Sequence, residues 1–282
     1  MWRWAIVLGW VWAQDKPAYL LYSGEGKRLS YKQALSYLSK ADVVLFGELH
    51  DDPIAHWLAY ELVRDLYRLR GERLMVGMEM FETDQNEALQ QYWRGEISLA
   101  QLGGKIRLWP NFSTDYAPLV EFARQAKIPL YATNAPRAFA RAVAQRGVAA
   151  MEEWMETERQ WVAPLPFPRL DSLPSYQQMS SMAVEHGIDP DNFRLAQMLR
   201  DATMAHRITS AWRSGVLFFH LNGRYHSDSK EGIGAYLRLY QPHLRVITLT
   251  TERVPEIHTY RPPKKGLADI ILVVPETMTR TH

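Results

Sequence analysis

Apolar residues along the chain gather into short runs rich in β-branched and aromatic side chains, and amphipathic stretches of helical period separate most of them. Six runs predict strands, at 42–46, 73–78, 128–132, 216–221, 245–250 and 269–274. Continuous apolar strands belong where both faces of a sheet are covered. The alternation of strand and helix therefore predicts an α/β fold with a mainly parallel sheet flanked by helices. Helix starts are legible between the runs. Ser30 suits a cap for a helix over 31–40, and Asp52 followed by Pro53 opens one reaching about Arg70. Asp84 precedes a helix over 85–93, Asp115 one over 116–127, and Pro136 fits the first turn of one over 137–145.

The alternation breaks at Gly147. From there to about Trp212 no strand pattern occurs, and four prolines between Pro164 and Pro174 interrupt what are otherwise helical stretches. This predicts a helical insertion over about 147–212 within a single domain spanning 14–282. Met151, Met155, Met179, Met182 and Met198 fall inside it, with Met204 just beyond the first five, and suit either a plain core or an adaptable apolar wall. Its last helix, expected over 193–212, places Gln197 and Asp201 on one face. Residues 1–13 read differently: Arg3, an apolar run from Trp4 to Trp12, then Ala13 before a polar stretch, the layout of a secretory signal peptide. That run is too short to cross a bilayer, so an exported chain is expected, periplasmic or secreted.

Composition narrows the chemistry. Thirty-three Lys and Arg against 31 Asp and Glu leave +2 in 282 residues, which gives no polybasic field for nucleic acid. There is no cysteine, so disulfides, thiolate metal sites and lipid attachment through cysteine are all excluded. Any metal or haem has to be held by His, Tyr, Met or carboxylate. Gly24-Glu25-Gly26 and Gly103-Gly104-Lys105 lack the context of a phosphate loop, and no Gly-x-Ser-x-Gly elbow occurs.

Ligands of open α/β sheets collect beyond the carboxyl ends of the strands. There the chain places Gly47-Glu48-Leu49-His50 with His56 following, then Glu79, then Thr133-Asn134, then Asn222-Gly223-Arg224-Tyr225-His226. Glu79 has apolar neighbours on both sides, and a half-buried carboxylate needs a partner or a shifted pKa. His50 and His56 do not have the i, i+4 spacing of zinc peptidases, which leaves a metal site open. The expectation is that Glu48, His50, Glu79 and His226 converge in one crevice.

These residues together resemble a known family. The 47–53 run with His56, Gly77-Met78-Glu79-Met80-Phe81, Asn134-Ala135-Pro136-Arg137, Arg200-Asp201-Ala202-Thr203-Met204-Ala205 and 222–226 are similar to the ChaN-type haem-binding proteins, grouped with Tiki proteases and erythromycin esterases. The resemblance runs from about Ala41 to Val274. It implies haem as cofactor, a role in iron or haem acquisition, and haems held face to face between two subunits through tyrosine. An outer-membrane uptake machinery is the partner it implies. Tyr225 is the tyrosine inside a matched motif, beside His226. The expected haem-binding set is therefore Tyr225, His226, Glu48, His50, His56, Glu79, Asn134 and Asp201. Members often carry a lipid-modified cysteine, absent here, so a form not anchored in that way is expected. Two other readings stay open: a metal- or carboxylate-dependent hydrolase using Glu48, His50, Glu79 and His226, and a scaffold in which Glu48 and Glu79 satisfy loop amides and His50 and His56 bond the backbone.

Overall fold

The computed structural model describes residues 15–262 and 266–282, apart from 186 and 188; the expected signal segment lies outside the described residues. Among the described residues one sheet carries β1 (Leu20–Ser23), β2 (Arg28–Leu29), β3 (Val43–Glu48), β4 (Leu74–Glu82), β5 (Leu130–Asn134), β6 (Leu217–Gly223), β7 (Val246–Val254) and β8 (Ile270–Pro275). Their spatial order is β2-β1-β8-β7-β3-β6-β4-β5. All neighbours from β8 to β5 are parallel, while β1 joins β8 antiparallel and β2 joins β1 likewise.

Before β5 the chain forms α1 (Tyr31–Leu38), α2 (Pro53–Arg70), α3 (Asn86–Arg94), α4 (Leu99–Lys105) and α5 (Ala117–Gln125). After β5 come α6 (Arg137–Arg146), α7 (Val148–Glu152), α8 (Glu156–Arg159), α9 (Pro174–Glu185) and α10 (Pro190–Ala211), and α11 (Ile233–Tyr240) follows β6. The two sets lie on opposite faces because successive strand residues point opposite ways. Val44 and Phe46 of β3 pack with Leu58, Leu62 and Leu89 of the first set. Val43 and Leu45 pack with Val143, Leu199 and Tyr236 of the second. Every residue of β3 is buried, the condition a continuous apolar strand predicts.

All six expected strands form, an α/β fold with a largely parallel sheet. Among the described residues, 147–212 is helical or irregular. Four local expectations need correction. Asp84 caps nothing: Glu82 caps the turn Thr83–Gln85, and α3 begins at Asn86. Asp115 sits inside a π-turn, Phe112–Tyr116, with its carboxylate turned inward. Pro136 occupies the cap position, and Arg137 is the first helical residue of α6. The helix expected from Phe193 starts three residues earlier at Pro190, where Asp189 accepts the Asn192 amide. Strands β1 and β2 escape a pattern search because the pair is only four and two residues long.

Close approach of β4 and β6 depends on Gly77. A Cβ there would lie 2.5 Å from the Phe218 ring and 3.0 Å from Thr133 Cγ2. Phe218 is fully buried and cannot swing away. Gly77→Ala is expected to destabilise the fold by about 1–3 kcal/mol, read as a lower urea midpoint. An unchanged midpoint would show that the sheet absorbs the methyl group there.

Candidate functional site

Four strand ends and two helices deliver ionisable groups to one rim. Glu48 is the last residue of β3, and the tight turn beyond it presents His50. Asp52 then accepts the amides of Ile54 and Ala55 at 3.1 and 3.0 Å, which starts α2 so that His56 faces back under the strand end. Glu79 lies inside the buried part of β4. Strand β6 ends at Gly223, which sits opposite Glu48 in the ladder, and the single turn Arg224–His226 follows. Helix α10 brings Gln197, Arg200 and Asp201 from the other side.

These groups form one row in which carboxylates and imidazoles alternate. Asp115 Oδ2 is 3.2 Å from His56 Nδ1, and His56 Nε2 is 2.9 Å from Glu48 Oε2. Both contacts lie off the line of a good hydrogen bond, so charge is the main coupling there. Glu48 Oε1 accepts from His50 Nδ1 at 2.8 Å and from the Tyr116 hydroxyl at 2.7 Å. The His50 ring lies over Gly223, so close that a Cβ on that glycine would meet Cε1 and Nε2 at 2.7 Å and Glu79 Oε2 at 3.5 Å. Glu79 Oε2 accepts the Gly223 amide at 2.7 Å, and its Oε1 is 3.2 Å from His226 Nε2. His226 Nδ1 bonds Asp201 Oδ1, and the Tyr176 hydroxyl donates to Asp201 Oδ2 at 2.7 Å.

Desolvation and pairing oppose each other along the row. Burial alone would push Glu48 up, but the His50 and His56 imidazoles hold it below the usual carboxylate range. Burial acts likewise on Glu79, and the charge and hydrogen bond of His226 overcome it by a wide margin. Burial would push His226 down, yet Glu79 and Asp201 raise it to about 10. His50 and His56 are raised for the same reason, against burial, by Glu48 and by the next carboxylate along: Glu79 for His50 and Asp115 for His56. At the end of the row burial prevails and Asp201 is pushed up, although His226 and Tyr176 resist. The row thus sets three histidines among four acids. His220, one strand position inside the rim, is the counter-example. It bonds Thr133 Oγ1 at 2.8 Å and Asn222 Oδ1 at 3.0 Å with no carboxylate contact, and burial pushes it down to about 4.

Glu48, His50, His56, Glu79, Asp201 and His226 therefore share one network, and Asn134 borders it, accepting from Arg200 Nη1 at 3.3 Å. Tyr225 does not enter the network; it is 65% exposed, with the Arg224 guanidinium 5.9 Å from its ring centre. The histidines bond carboxylates and not the backbone, while Glu79 does take a loop amide. Among the described methionines of the insertion, Met198 and Met204 are fully buried, Met151 and Met179 are partly buried against the core, and Met155 is largely exposed. Asp115, Tyr116 and Tyr176 complete the row without having been singled out for it. The one hint for the first two was an isolated Asp-Tyr pair after an aromatic, proline-containing stretch at 109–112.

Over Glu79 opens a cavity of about 330 Å³, lined also by Glu82, Arg107, Trp109, Asn134, Arg137 and Arg200. Trp109 packs edge-on against His50 with ring centres 4.8 Å apart. A larger hollow of about 460 Å³ beside β1, bordered by Ser23, Glu25, Tyr37 and Lys230, carries no comparable cluster. Among the described residues no three His, Asp or Glu side chains are placed to grip one metal ion. Nor is any described helix long and apolar enough to cross a membrane.

Residues 34–237 match the family described as haem-binding uptake, Tiki superfamily, ChaN, and the chain belongs to that family. Among solved structures it is similar to ChaN of Campylobacter jejuni, described as binding haem cofacially, at 17% identity and a TM-score of 0.70 over 93% of this chain and 98% of that one. A looser likeness, TM-score 0.47 at 13% identity, covers 90% of this chain and 82% of an open-form mutant of the erythromycin esterase EreC. No curated protein matches the chain.

The row makes stability depend on pH in two opposed ways. His226, raised from 6.5 to about 10, contributes fully below pH 6.5 and loses that contribution as pH rises towards about 10. His220, lowered from 6.5 to about 4, takes up a proton in the unfolded chain that the native state refuses, so stability falls as pH drops from 6.5 towards about 4. Chemical denaturation across pH is expected to show a flatter alkaline limb in His226→Gln and a flatter acid limb in His220→Gln. An alkaline limb unchanged in His226→Gln would mean that Glu79 and Asp201 do not hold a proton on that ring.

Proposed function

We propose that this chain is an exported haem-binding protein of iron or haem acquisition, which takes haem at the rim formed by the carboxyl ends of the strands and supplies Tyr225 as the iron donor. The observation that carries this is the way the Tyr225 turn is held. On one side Arg224 is locked by Asp228 at 2.7 Å, by the Thr251 carbonyl at 2.8 Å and by Glu252 at 3.2 Å. On the other, His226 is buried between Glu79 and Asp201. The phenol between them stands in solvent, carried on a turn that is fixed before any ligand arrives. His226 has both nitrogens engaged by carboxylates, and His50 is raised towards its protonated form, so Tyr225 is the better donor of the three.

Haem fits this donor set, since tyrosine is an ordinary axial ligand of haem iron, and a haem so held supplies a ferric centre suited to carriage. His226 and Arg224 keep the turn rigid, while Glu48, His50 and His56 brace the strand end beneath it. Two such exposed phenols could face one another across a homodimer, and an outer-membrane uptake machinery would be the donor or acceptor of the cargo. Export rests on the 1–13 pattern, and cleavage after Ala13 would leave Gln14 as the first residue.

Titration of the purified chain with hemin is expected to give a shifted Soret band, and Tyr225→Phe to weaken binding by about tenfold or more. Sizing of the loaded protein would read a haem-dependent dimer. A spectrum unaltered by Tyr225→Phe would remove this tyrosine as ligand.

A second reading has its own observation. The His50 side chain is 39% exposed while its Glu48 partner is fully buried, and Glu79 lies close by, the layout of an acid–base imidazole oriented by a carboxylate. Hydrolysis of an ester panel that is abolished by Glu48→Gln, with metal analysis alongside, would support a hydrolase. No turnover by the wild type would end that reading.

A further inference from the structure

The cavity over Glu79 does not stop at Arg137 and Arg200. Both side chains also border a second hollow of about 240 Å³, floored by Ala140, Ala144, Phe193 and Ala196 and edged by Arg141. The two hollows adjoin at these arginines: Trp109 lines the first, and the second lies between α6 and the first half of α10 with Phe193 in its wall, so that together they form a groove. Arg107, Arg137, Arg141 and Arg200 bring four guanidinium groups to it.

Their neighbours on the same helices show what is unusual. Arg146 of α6 pairs with Glu153 at 2.7 Å, and Arg194 of α10 pairs with Asp191. Among the described residues, Arg107, Arg137, Arg141 and Arg200 have no carboxylate within ion-pair distance. Glu82 is in the same wall, but its carboxylate accepts the Arg137 backbone amide at 2.9 Å and the Gln85 amide, not a guanidinium. Glu79 is neutralised by His226. Arg200 spends one nitrogen on the Asn134 carbonyl oxygen at 3.3 Å and keeps the rest of its planar head available.

We propose that this groove is a carboxylate-binding subsite which receives the two propionates of haem, with Arg137 and Arg200 as the central clamp and Arg107 and Arg141 at its two ends. A guanidinium matches a carboxylate through two parallel hydrogen bonds, a geometry that lysine cannot reproduce. Trp109 and Phe193 give the apolar body of the ligand something flat to lie against. The assignment rests on the haem reading and adds which edge of the porphyrin the protein recognises.

The test compares hemin with hemin dimethyl ester, in which both acids are masked, and uses metal-free protoporphyrin to remove axial ligation. For the full wild-type chain, hemin is expected to bind about tenfold or more tightly than the ester. In Arg137→Gln/Arg200→Gln the two should bind alike, at the ester's affinity. Tyr225→Phe should keep the preference for free acid over ester, and protoporphyrin should show the same arginine dependence as hemin. Because the groove is on the surface, the double variant should melt with the wild type; should it not, Arg137→Gln alone, at an exposed position, is expected to lose part of the preference. Wild type that binds both forms equally, or a double variant that still prefers the free acid, overturns the subsite while hemin binding stands. Wild type that binds none of the three porphyrins overturns the haem reading and the subsite together.

Discussion

Six ionisable side chains withdrawn from water at the end of a parallel sheet, with the part-exposed His50 beside them, have to offset one another's charge, and that demand organises the rim. A lone buried carboxylate at Glu79 would give up its charge; beside His226 it is held below the usual carboxylate range. Because each histidine has two nitrogens on opposite sides of its ring, it can join two acids at once. His56 and His226 do so, and the two groups they build meet at Gly223, where the His50 ring lies over the glycine and Glu79 accepts its amide. Removing one member leaves its neighbours on both sides buried with unbalanced charge, so the row behaves as a unit. The contrast with His220 shows that burial alone does not create the charge: placed among hydroxyl and amide partners, it stays neutral.

The architecture was open to reading because its signals are local. A strand covered on both faces is apolar throughout, so β3 to β8 stood out from periodicity and residue type. The short pair β1 and β2 did not, since two to four residues carry too little pattern. Much of the rim was legible by the same logic, because the residue after a buried strand is where a parallel sheet meets its ligand, and this placed Glu48, His50, Glu79 and His226. What stayed hidden was pairing across the chain. Asp115 looked like a helix cap, the ordinary reason for an aspartate before a helical run, and only the fold shows its carboxylate turned in against His56. Tyr116 and Tyr176 were indistinguishable from core tyrosines until their hydroxyls met Glu48 and Asp201. Glycine roles were equally invisible: nothing around Gly223 in sequence says that an imidazole lies against its Cα.

Membership of the haem-binding uptake family, together with the shared fold, gives the rim its most economical use. The buried part of the row is poorly suited to be a ligand, since His226 has both nitrogens against carboxylates and His56 lies between Glu48 and Asp115. It is well suited to be a foundation. Arg224, held by Asp228 and Glu252, and His226, held by Glu79 and Asp201, anchor the two sides of one exposed tyrosine. Structure and chemistry are joined at that turn: the imidazole that anchors it is also the group whose pKa Glu79 and Asp201 raise.

Glu79, within the row of acids and histidines, also lines the cavity bordered by Arg107, Arg137 and Arg200, whose guanidinium groups have no carboxylate at ion-pair distance among the described residues. The opening is therefore polarised from end to end. A guest with an acidic edge would be turned towards the guanidinium side before it touched the wall.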